Sequence, residues 1–275
     1  MSRLLAAPGG GTVRVPVPVR WYEPWPVSTG SPGPTLLWLH GGGFFRGGLD
    51  QPEAHDVARS LAARGVRVAT VDYRLAPPPG RGLVAGRLMP SRSRYPGALD
   101  DVVTAYGEVA DRSPEGVIVG GASAGACLAA AATLRTIDEG RPPVGAVFAY
   151  GFFHPAHPRM AEARHRSGGH RGLSHARWAL DVMNRNYAGS RTALADRLAF
   201  PGGHDLTGFP RTLVVNAERD NMRASGDVFA GELADAGVDV RHHVLPGTRH
   251  AFLNRPRLAE YAHTVSLVAE WTRGG

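Results

Sequence analysis

Short apolar runs alternate with longer amphipathic runs along most of the chain. The apolar runs have the length of buried strands, and they are residues 35–39, 66–71, 116–120, 144–150, 212–216 and 238–245. The runs between them have helical spacing, as in the apolar positions Ala54, Val57, Ala58, Leu61 and Ala62. Strands that alternate with helices over short links predict an α/β fold with a mostly parallel, doubly wound sheet.

The start of this series carries two further local signals. The first helix is predicted to start near Asp50, which can cap it, and to stop at Gly65. Ahead of the first buried strand, residues 12–21 alternate apolar and polar positions and contain Pro16 and Pro18. Alternation predicts a strand, and the prolines confine it to a sheet edge because proline has no N–H for the ladder.

One segment, residues 151–208, interrupts the alternation and carries a helical run near residues 178–187. We therefore interpret residues 1–275 as a single α/β domain in which residues 151–208 form a lid over the strand ends. The loop at residues 77–94 is rich in Pro, Gly and Arg and has little periodicity, so it is predicted to lack regular structure.

Clustered histidines in the lid segment raise the question of a metal site. They are His154, His157, His165, His170 and His175. Pro155 and Pro158 prevent the regular helical spacing of metal ligands, and no carboxylate pattern accompanies the histidines. The sequence therefore predicts no metal and no cofactor, with these histidines either solvated or facing a substrate.

The positive charge of the chain does not indicate nucleic-acid binding. The formal net charge is +7, but all 31 basic residues are arginines, and they are scattered along the chain. The absence of lysine excludes Schiff-base chemistry, and a single cysteine, Cys127, excludes an internal disulfide. Because no apolar run is long enough to span a bilayer, we expect a cytoplasmic protein without a nucleic-acid or membrane partner.

The first candidate for chemistry is the pentapeptide Gly-Ala-Ser-Ala-Gly at residues 121–125, which lies between a predicted strand and an alanine-rich helix. A G-x-S-x-G sequence in this context is typical of a nucleophile elbow, a sharp turn that exposes the serine hydroxyl. Gly121 and Gly125 remove side chains where strand and helix approach. The helix N-terminus would point N–H groups at whatever Ser123 attacks.

A second candidate is the sequence His40-Gly41-Gly42-Gly43, which directly follows the buried strand at residues 35–39. Three consecutive glycines weaken regular structure, so their presence after a core strand favours a binding loop over an ordinary connection. Such a loop brings backbone N–H groups close to a ligand.

Three polar side chains complete a pattern in the order Ser123, Asp220 and His250, each just after a predicted strand. A serine hydroxyl needs a base to remove its proton, and histidine suits that task near neutral pH. A carboxylate fixes the imidazole tautomer and stabilises the cation that forms. Asp220 is preferred over Asp205 and Asp227 because it alone closely follows the strand at residues 212–216.

These motifs together carry a family resemblance. They are HGGG at residues 40–43, DYRLAP at 72–77, GASAG at 121–125, ERD at 218–220 and HAF at 250–252. The set resembles the hormone-sensitive-lipase-like family of esterases, which has the α/β-hydrolase fold. The chain departs from that family at Ala122, where the family usually has Asp, and at Ala126, where it usually has Gly.

The resemblance implies roles for individual residues. Ser123 would be the nucleophile with Asp220 and His250 as its partners, and the oxyanion donors would be the N–H groups of Gly42, Gly43 and Ala124. His40 would shape the glycine loop. The implied enzyme is a carboxylesterase-type serine hydrolase, acting through an acyl-enzyme on a small-molecule ester.

Aromatic residues after two strand ends suggest a small acyl pocket. Phe44, Phe45, Phe152 and Phe153 are predicted to line it, which favours short acyl groups, although burial of these residues in the core would also be compatible with the sequence. The same catalytic residues would equally serve an amidase, an arylformamidase or a lactonase, and a non-catalytic ligand-binding protein of this fold stays open. The sequence leaves a homodimer open as well.

Overall fold

The computed structural model of the chain describes residues 2–6, 12–24, 33–80, 91–159 and 175–274. Two of the lid histidines, His165 and His170, lie outside these residues. So does the central part of the loop expected at residues 77–94.

The main sheet of the described residues has seven strands in the order β3-β5-β4-β6-β7-β8-β9. The strands are β3 (Val19–Tyr22), β4 (Thr35–Leu39), β5 (Val68–Val71), β6 (Val117–Ala122), β7 (Gly145–Ala149), β8 (Thr212–Arg219) and β9 (Val240–Arg249). A separate antiparallel pair contains β1 (Ser2–Ala6) and β2 (Thr12–Pro16). Of these seven strands only β3 runs antiparallel to its neighbour, so the predicted mostly parallel, doubly wound arrangement is confirmed.

The predicted edge strand at residues 12–21 is divided into two strands that belong to different sheets. β2 pairs with β1, whereas β3 pairs with β5 at the edge of the main sheet. Pro18 lies between the two strands, and its ring nitrogen has no hydrogen to continue a ladder. The edge position was therefore predicted correctly, but the continuity of the strand was not.

Helices cover both faces of the sheet. One face packs against α1 (His55–Ala62) and α7 (Ala259–Arg273). The other packs against α2 (Gly97–Ala110), α3 (Ala124–Asp138) and α6 (Arg223–Asp235). Within the described part of the lid segment, α4 (Arg177–Ala188) and α5 (Arg191–Leu194) connect β7 to β8.

The predicted start of α1 at Asp50 is wrong. The helix begins at His55, and the preceding residues form turns in which the N–H of Ala54 donates to Gln51 O at 2.9 Å. Asp50 instead forms an ion pair with Arg20 at 2.8 Å, which ties this turn to the edge strand β3. Pro52 lies within the turn and lacks one of the N–H groups that a cap at Asp50 would bind.

The order of the strands creates a cleft above β4 and β6. The chain leaves β4 toward β5 and then returns to the other side of β4 to form β6. Ligands of open α/β sheets bind where the direction of strand order reverses, beyond the carboxyl ends of the strands. Leu39 at the end of β4 pairs with Gly121 near the end of β6, so the glycine loop and Ser123 start from neighbouring strands. No helix among the described residues is long and apolar enough to cross a membrane.

Candidate active site

Ser123 occupies a one-residue turn between β6 and α3. Its φ of 54° and ψ of −120° are unfavourable for a residue with a side chain, and such strain is typical of functional turns. The N–H of Ser123 donates to Ala149 O on the neighbouring strand at 2.9 Å, which helps to hold the turn.

The glycines of the pentapeptide are required by close packing. A Cβ atom on Gly121 would lie 2.5 Å from the backbone of Gly125. A Cβ atom on Gly125 would collide with the carbonyl oxygens of Leu39 and His40 at the end of β4. The turn therefore brings three backbone segments closer together than any side chain allows.

His250 lies between Ser123 and Asp220 and forms a hydrogen bond with each. Its Nε2 is 2.9 Å from Ser123 Oγ, and its Nδ1 is 2.5 Å from Asp220 Oδ2. All three residues are buried, with Asp220 fully removed from solvent. A proton on Nδ1 satisfies the carboxylate and leaves Nε2 free to accept the serine proton.

The environment of Asp220 favours its ionised form. Burial acts to raise its pKa, but the charge and hydrogen bond of His250, the nearby His175 and the N–H of Met222 outweigh burial and lower that pKa. Met222 N donates to the second carboxylate oxygen, Oδ1, at 3.0 Å. A carboxylate with both oxygens engaged in this way is held in one orientation.

The other two candidate aspartates lie in different environments. Asp227 forms ion pairs with Arg223 at 2.9 Å and His242 at 3.1 Å. Asp205 accepts a hydrogen bond from the N–H of Thr207 at 2.9 Å on the exposed surface.

The glycine loop passes beside Ser123 with two residues in the left-handed region. Gly42 has φ 125° and Gly43 has φ 63°, and a Cβ atom would collide with Arg46 O at the first position and lie 2.8 Å from Met183 Sδ at the second, so both positions favour glycine. Among the described residues, no acceptor binds the N–H groups of Gly42, Gly43 or Ala124. These three donors are therefore available to a ligand at Ser123.

His40 supports the glycine loop from inside the protein. Its Nδ1 lies 2.8 Å from Gly41 O, and its ring stacks on Tyr73, whose hydroxyl donates to His40 O at 2.5 Å. Burial lowers the pKa of His40, which keeps the ring neutral near pH 7.

A cavity of about 700 Å³ opens above Ser123 and His250. Its walls come from the glycine loop with Phe45 and Arg46, from α4, and from the residues that follow Asp220 and His250. The α4 wall contains Trp178, Ala179, Leu180, Val182 and Met183.

The predicted aromatic pocket needs correction, because of the four phenylalanines only Phe45 lines this cavity. Phe44, Phe152 and Phe153 are almost fully buried and belong to the core. Phe44 stacks on Tyr187 of α4, and Phe153 stacks on Phe229 of α6. Their side chains point into the core between the sheet and the helices, and not into the cavity beyond the strand ends.

The described lid histidines occupy three different environments. His154 hydrogen-bonds to Ser225 and Glu232. His157 is buried against Phe152, and burial lowers its pKa to about 3, so the expectation of a solvated side chain is wrong there. His175 lines the cavity, with its Nδ1 3.9 Å from Asp220 Oδ1 and its ring 4.8 Å from that of His250.

His175, Asp220 and His250 are the one group of at least three potential metal ligands that lie together in the described ranges. The 2.5 Å between Asp220 Oδ2 and His250 Nδ1 corresponds to a direct hydrogen bond. An ion bound to both atoms would separate them to about 3 Å, given metal–ligand distances near 2 Å. The geometry therefore fits a proton shared between the two residues.

The match to a known family covers the whole of this site. The model of a family described as "alpha/beta hydrolase fold" matches residues 36–254, which include the glycine loop, Ser123, Asp220 and His250. The chain belongs to this α/β-hydrolase family.

Curated relatives narrow the classification. The chain is 30% identical over 270 residues to the carboxylesterase NlhH of Mycobacterium tuberculosis, covering 94% of this chain and 76% of that protein. It is 31% identical over 261 residues to the ethyl acetate hydrolase of Pseudomonas putida, covering 90% and 74%. The predicted carboxylesterase-type hydrolase of the hormone-sensitive-lipase-like family is thereby confirmed.

Solved structures agree with the fold. The esterase of Pyrobaculum calidifontis superimposes with a TM-score of 0.78 at 28% identity, covering 100% of this chain and 84% of that one. An esterase from the bacterial hormone-sensitive lipase family has a TM-score of 0.76 at 23% identity, covering 94% and 81%.

Several cavity and contact residues were not predicted from the sequence. Glu53 is hydrogen-bonded to Tyr150 and Asn254 next to the site, and Met183 lies beside Gly43. None of these belongs to a recognisable motif. His175 was grouped with four other histidines, and nothing in the local sequence distinguishes it from them.

Proposed function

We propose that the protein hydrolyses short-chain carboxylic esters through an acyl-enzyme on Ser123. The observation that supports this most strongly is the continuous line of hydrogen bonds from Asp220 through His250 to Ser123, which ends in an open cavity. The serine is the only one of the three that carries a hydroxyl nucleophile, and the base lies at 2.9 Å from it.

The reaction follows from the positions of the donors and acceptors. His250 Nε2 takes the proton of Ser123 as Oγ attacks the ester carbonyl, while Asp220 stabilises the imidazolium. The carbonyl oxygen becomes an oxyanion that accepts hydrogen bonds from the N–H groups of Gly42, Gly43 and Ala124. His250 then protonates the departing alcohol, and a water molecule releases the acid from the acyl-enzyme by the same steps.

The cavity wall beside the oxyanion loop leaves room for a short acyl group. A Cβ on Gly43 would lie 2.8 Å from Met183 Sδ, so this thioether occupies the space next to the proposed oxyanion donors. Met222, two residues after Asp220 in the sequence, lines another part of the cavity. The names of relatives agree, since they include an ethyl acetate hydrolase and an acetyl esterase of Salmonella agona.

We also propose that residues 151–208 act as a lid within one domain comprising residues 1–275. In the described part of this segment, α4 forms one wall of the cavity and buries Leu180 and Tyr187 in the core. This packing joins the lid to the layer of helices that covers the sheet, and it places exposed Trp178 at the mouth of the cavity.

Amidase, arylformamidase and lactonase activities use the same catalytic groups, so the substrate class must be identified by comparing the rates for different substrates. A panel of p-nitrophenyl esters from C2 to C16, together with formamides and lactones, tests the proposal. We expect kcat/KM to be highest for acetyl to hexanoyl esters. A profile that still rises at C12 to C16, or a preference for a formamide or lactone, would contradict it.

A further inference from the structure

Glu53 is a buried carboxylate next to the proposed catalytic groups, and the ester hydrolysis described so far does not use it. Only 2% of the residue is exposed. Oε2 accepts a hydrogen bond from the N–H of Gly41 at 2.6 Å, and Oε1 accepts from the Tyr150 hydroxyl at 2.5 Å and from Asn254 Nδ2 at 3.0 Å. Gln51 Nε2 also donates to Oε2 at 3.4 Å, so each of the four hydrogen-bond partners of this carboxylate among the described residues is a donor.

Each of these partners belongs to, or packs against, a segment that carries the proposed chemistry. Gly41 directly precedes Gly42 and Gly43 in the oxyanion loop. The ring of Tyr150 packs edge-on against His250 with centroids 5.0 Å apart. Asn254 ends the 3₁₀ turn Phe252–Asn254 that follows His250, and its Oδ1 accepts from the N–H of Glu53 at 3.3 Å.

The bond to Gly41 also explains which N–H groups of the loop remain available. Glu53 engages the N–H of Gly41, whereas the N–H groups of Gly42 and Gly43 bind no acceptor among the described residues. One carboxylate thus fixes both the loop that binds the oxyanion and the loop that carries the base.

We propose that Glu53 is a positioning residue of the ester hydrolysis, which holds the oxyanion loop in register with the His250 loop and supplies a negative charge near the imidazolium. The inference rests on the proposed function, because both loops matter only if Ser123 is the nucleophile.

The charges around His250 are consistent with this role. Asp220 contacts its Nδ1, the ring of His175 packs against its ring, and Tyr150 contacts both its ring and Glu53. Burial raises the pKa of Glu53 overall, and the hydrogen bonds from Tyr150, Gly41 and Asn254, together with the nearby His250, limit that rise. Among the described residues Glu53 forms no ion pair with an arginine, and the nearby cation that acts on its carboxylate is His250.

The substitution Glu53→Gln separates charge from shape. An amide cannot accept on both sides, so its NH₂ group must face either Gly41 or the donors Tyr150 and Asn254, and at least one donor loses its acceptor. We expect kcat to fall about 10- to 100-fold, below the loss for direct removal of an oxyanion donor, with KM changed less than about threefold. Because the imidazolium loses a neighbouring negative charge, the acid limb of the kcat/KM profile should move to lower pH.

Two further variants make the test specific. Glu53→Asp keeps the charge but shortens the side chain, so we expect an acid limb close to that of the wild type and a reduced kcat. Glu232→Gln is the matched control, because Glu232 also accepts from a backbone N–H, that of Gly203 at 3.1 Å, and from His154 at 3.1 Å. Glu232 does not line the cavity, so its kinetics should be unchanged.

The experiment measures pH profiles of kcat and kcat/KM for p-nitrophenyl acetate, with thermal unfolding of each variant. A Glu53→Gln enzyme within twofold of the wild type, with an unmoved acid limb, overturns the inference. A kinetic loss equal to that of Glu232→Gln also overturns it. If Glu53→Gln does not fold, Tyr150→Phe removes one donor and keeps the carboxylate, and an unchanged kcat in that variant overturns the inference.

The wild type separates this inference from the proposed function. A wild-type enzyme that hydrolyses the ester while Glu53→Gln matches it excludes only the role of Glu53. A wild type that neither hydrolyses esters nor labels at Ser123 with a fluorophosphonate excludes the proposed function and this inference together.

Discussion

Replacing Asp220 with Asn should disable the base without removing any atom of the nucleophile. Met222 N donates to Oδ1 at 3.0 Å, and an asparagine can satisfy that donor only by placing its carbonyl oxygen there. The NH₂ group then faces His250 Nδ1, where Oδ2 now lies at 2.5 Å. The imidazole must accept at Nδ1 and carry its proton on Nε2, so it cannot take the proton of Ser123.

The expected loss in kcat is about 10⁴-fold, or about 5 kcal/mol of transition-state stabilisation, the size of effect that a wrong tautomer produces. The assay is hydrolysis of p-nitrophenyl acetate, with circular dichroism to verify folding. Asp227→Asn is the matched control, because Asp227 pairs with Arg223 and His242 instead of His250. More than a tenth of wild-type kcat in Asp220→Asn, or a large loss of kcat in Asp227→Asn, would show that Asp220 does not orient His250.

Three more outcomes follow from particular contacts. Met183→Ala should open the space beside Gly43 and shift the preferred acyl chain to longer esters, with a p-nitrophenyl ester series as the assay. Gly125→Ala should prevent stable folding because of its clash with the backbone of Leu39, whereas Gly231→Ala, which has open space within α6, should raise stability by up to about 1 kcal/mol in urea unfolding. His157 has a folded pKa of about 3, below the ordinary value of 6.5. Between these two pH values the unfolded chain binds a proton at this residue that the folded chain does not bind, so stability should fall as the pH drops from about 6.5 to about 3. A His157→Leu variant should lose that part of the pH dependence, by up to about 1.4 kcal/mol per pH unit, and an unchanged slope would contradict the assignment.

The residues at strand ends could be identified from the sequence for a physical reason. Ser123, Asp220 and His250 each follow an apolar run of strand length, and parallel strands bring their carboxyl ends to one edge of the sheet. The chemistry of their side chains then limits the choice further. The glycine loop stood out in the same way, since His40 and its glycines follow the buried strand β4.

The direction of a side chain after a strand could not be predicted. Phe44 and Phe45 are neighbours, yet one stacks on Tyr187 in the core and the other lines the cavity. Such a difference depends on the backbone turn, here a φ of 67° at Phe44, rather than on the hydrophobicity of the residue.

Contacts between distant segments could not be predicted from the sequence either. Glu53 binds Tyr150 and Asn254, which lie 97 and 201 residues further along the chain. No local pattern marks a carboxylate that joins three loops. The sequence near the lid histidines was also uninformative, because His157 is buried in the core and His175 faces the site within the same segment.

Covalent labelling is the decisive test of whether Ser123 forms the acyl-enzyme. The wild-type protein is treated with a fluorophosphonate, and intact mass and peptide mapping locate the adduct. We expect one equivalent of label, on Ser123, with activity lost in proportion, and no label in Ser123→Ala, whose kcat should fall by at least about 10⁴-fold. Labelling at another residue, or substantial ester hydrolysis by Ser123→Ala, would exclude Ser123 as the nucleophile.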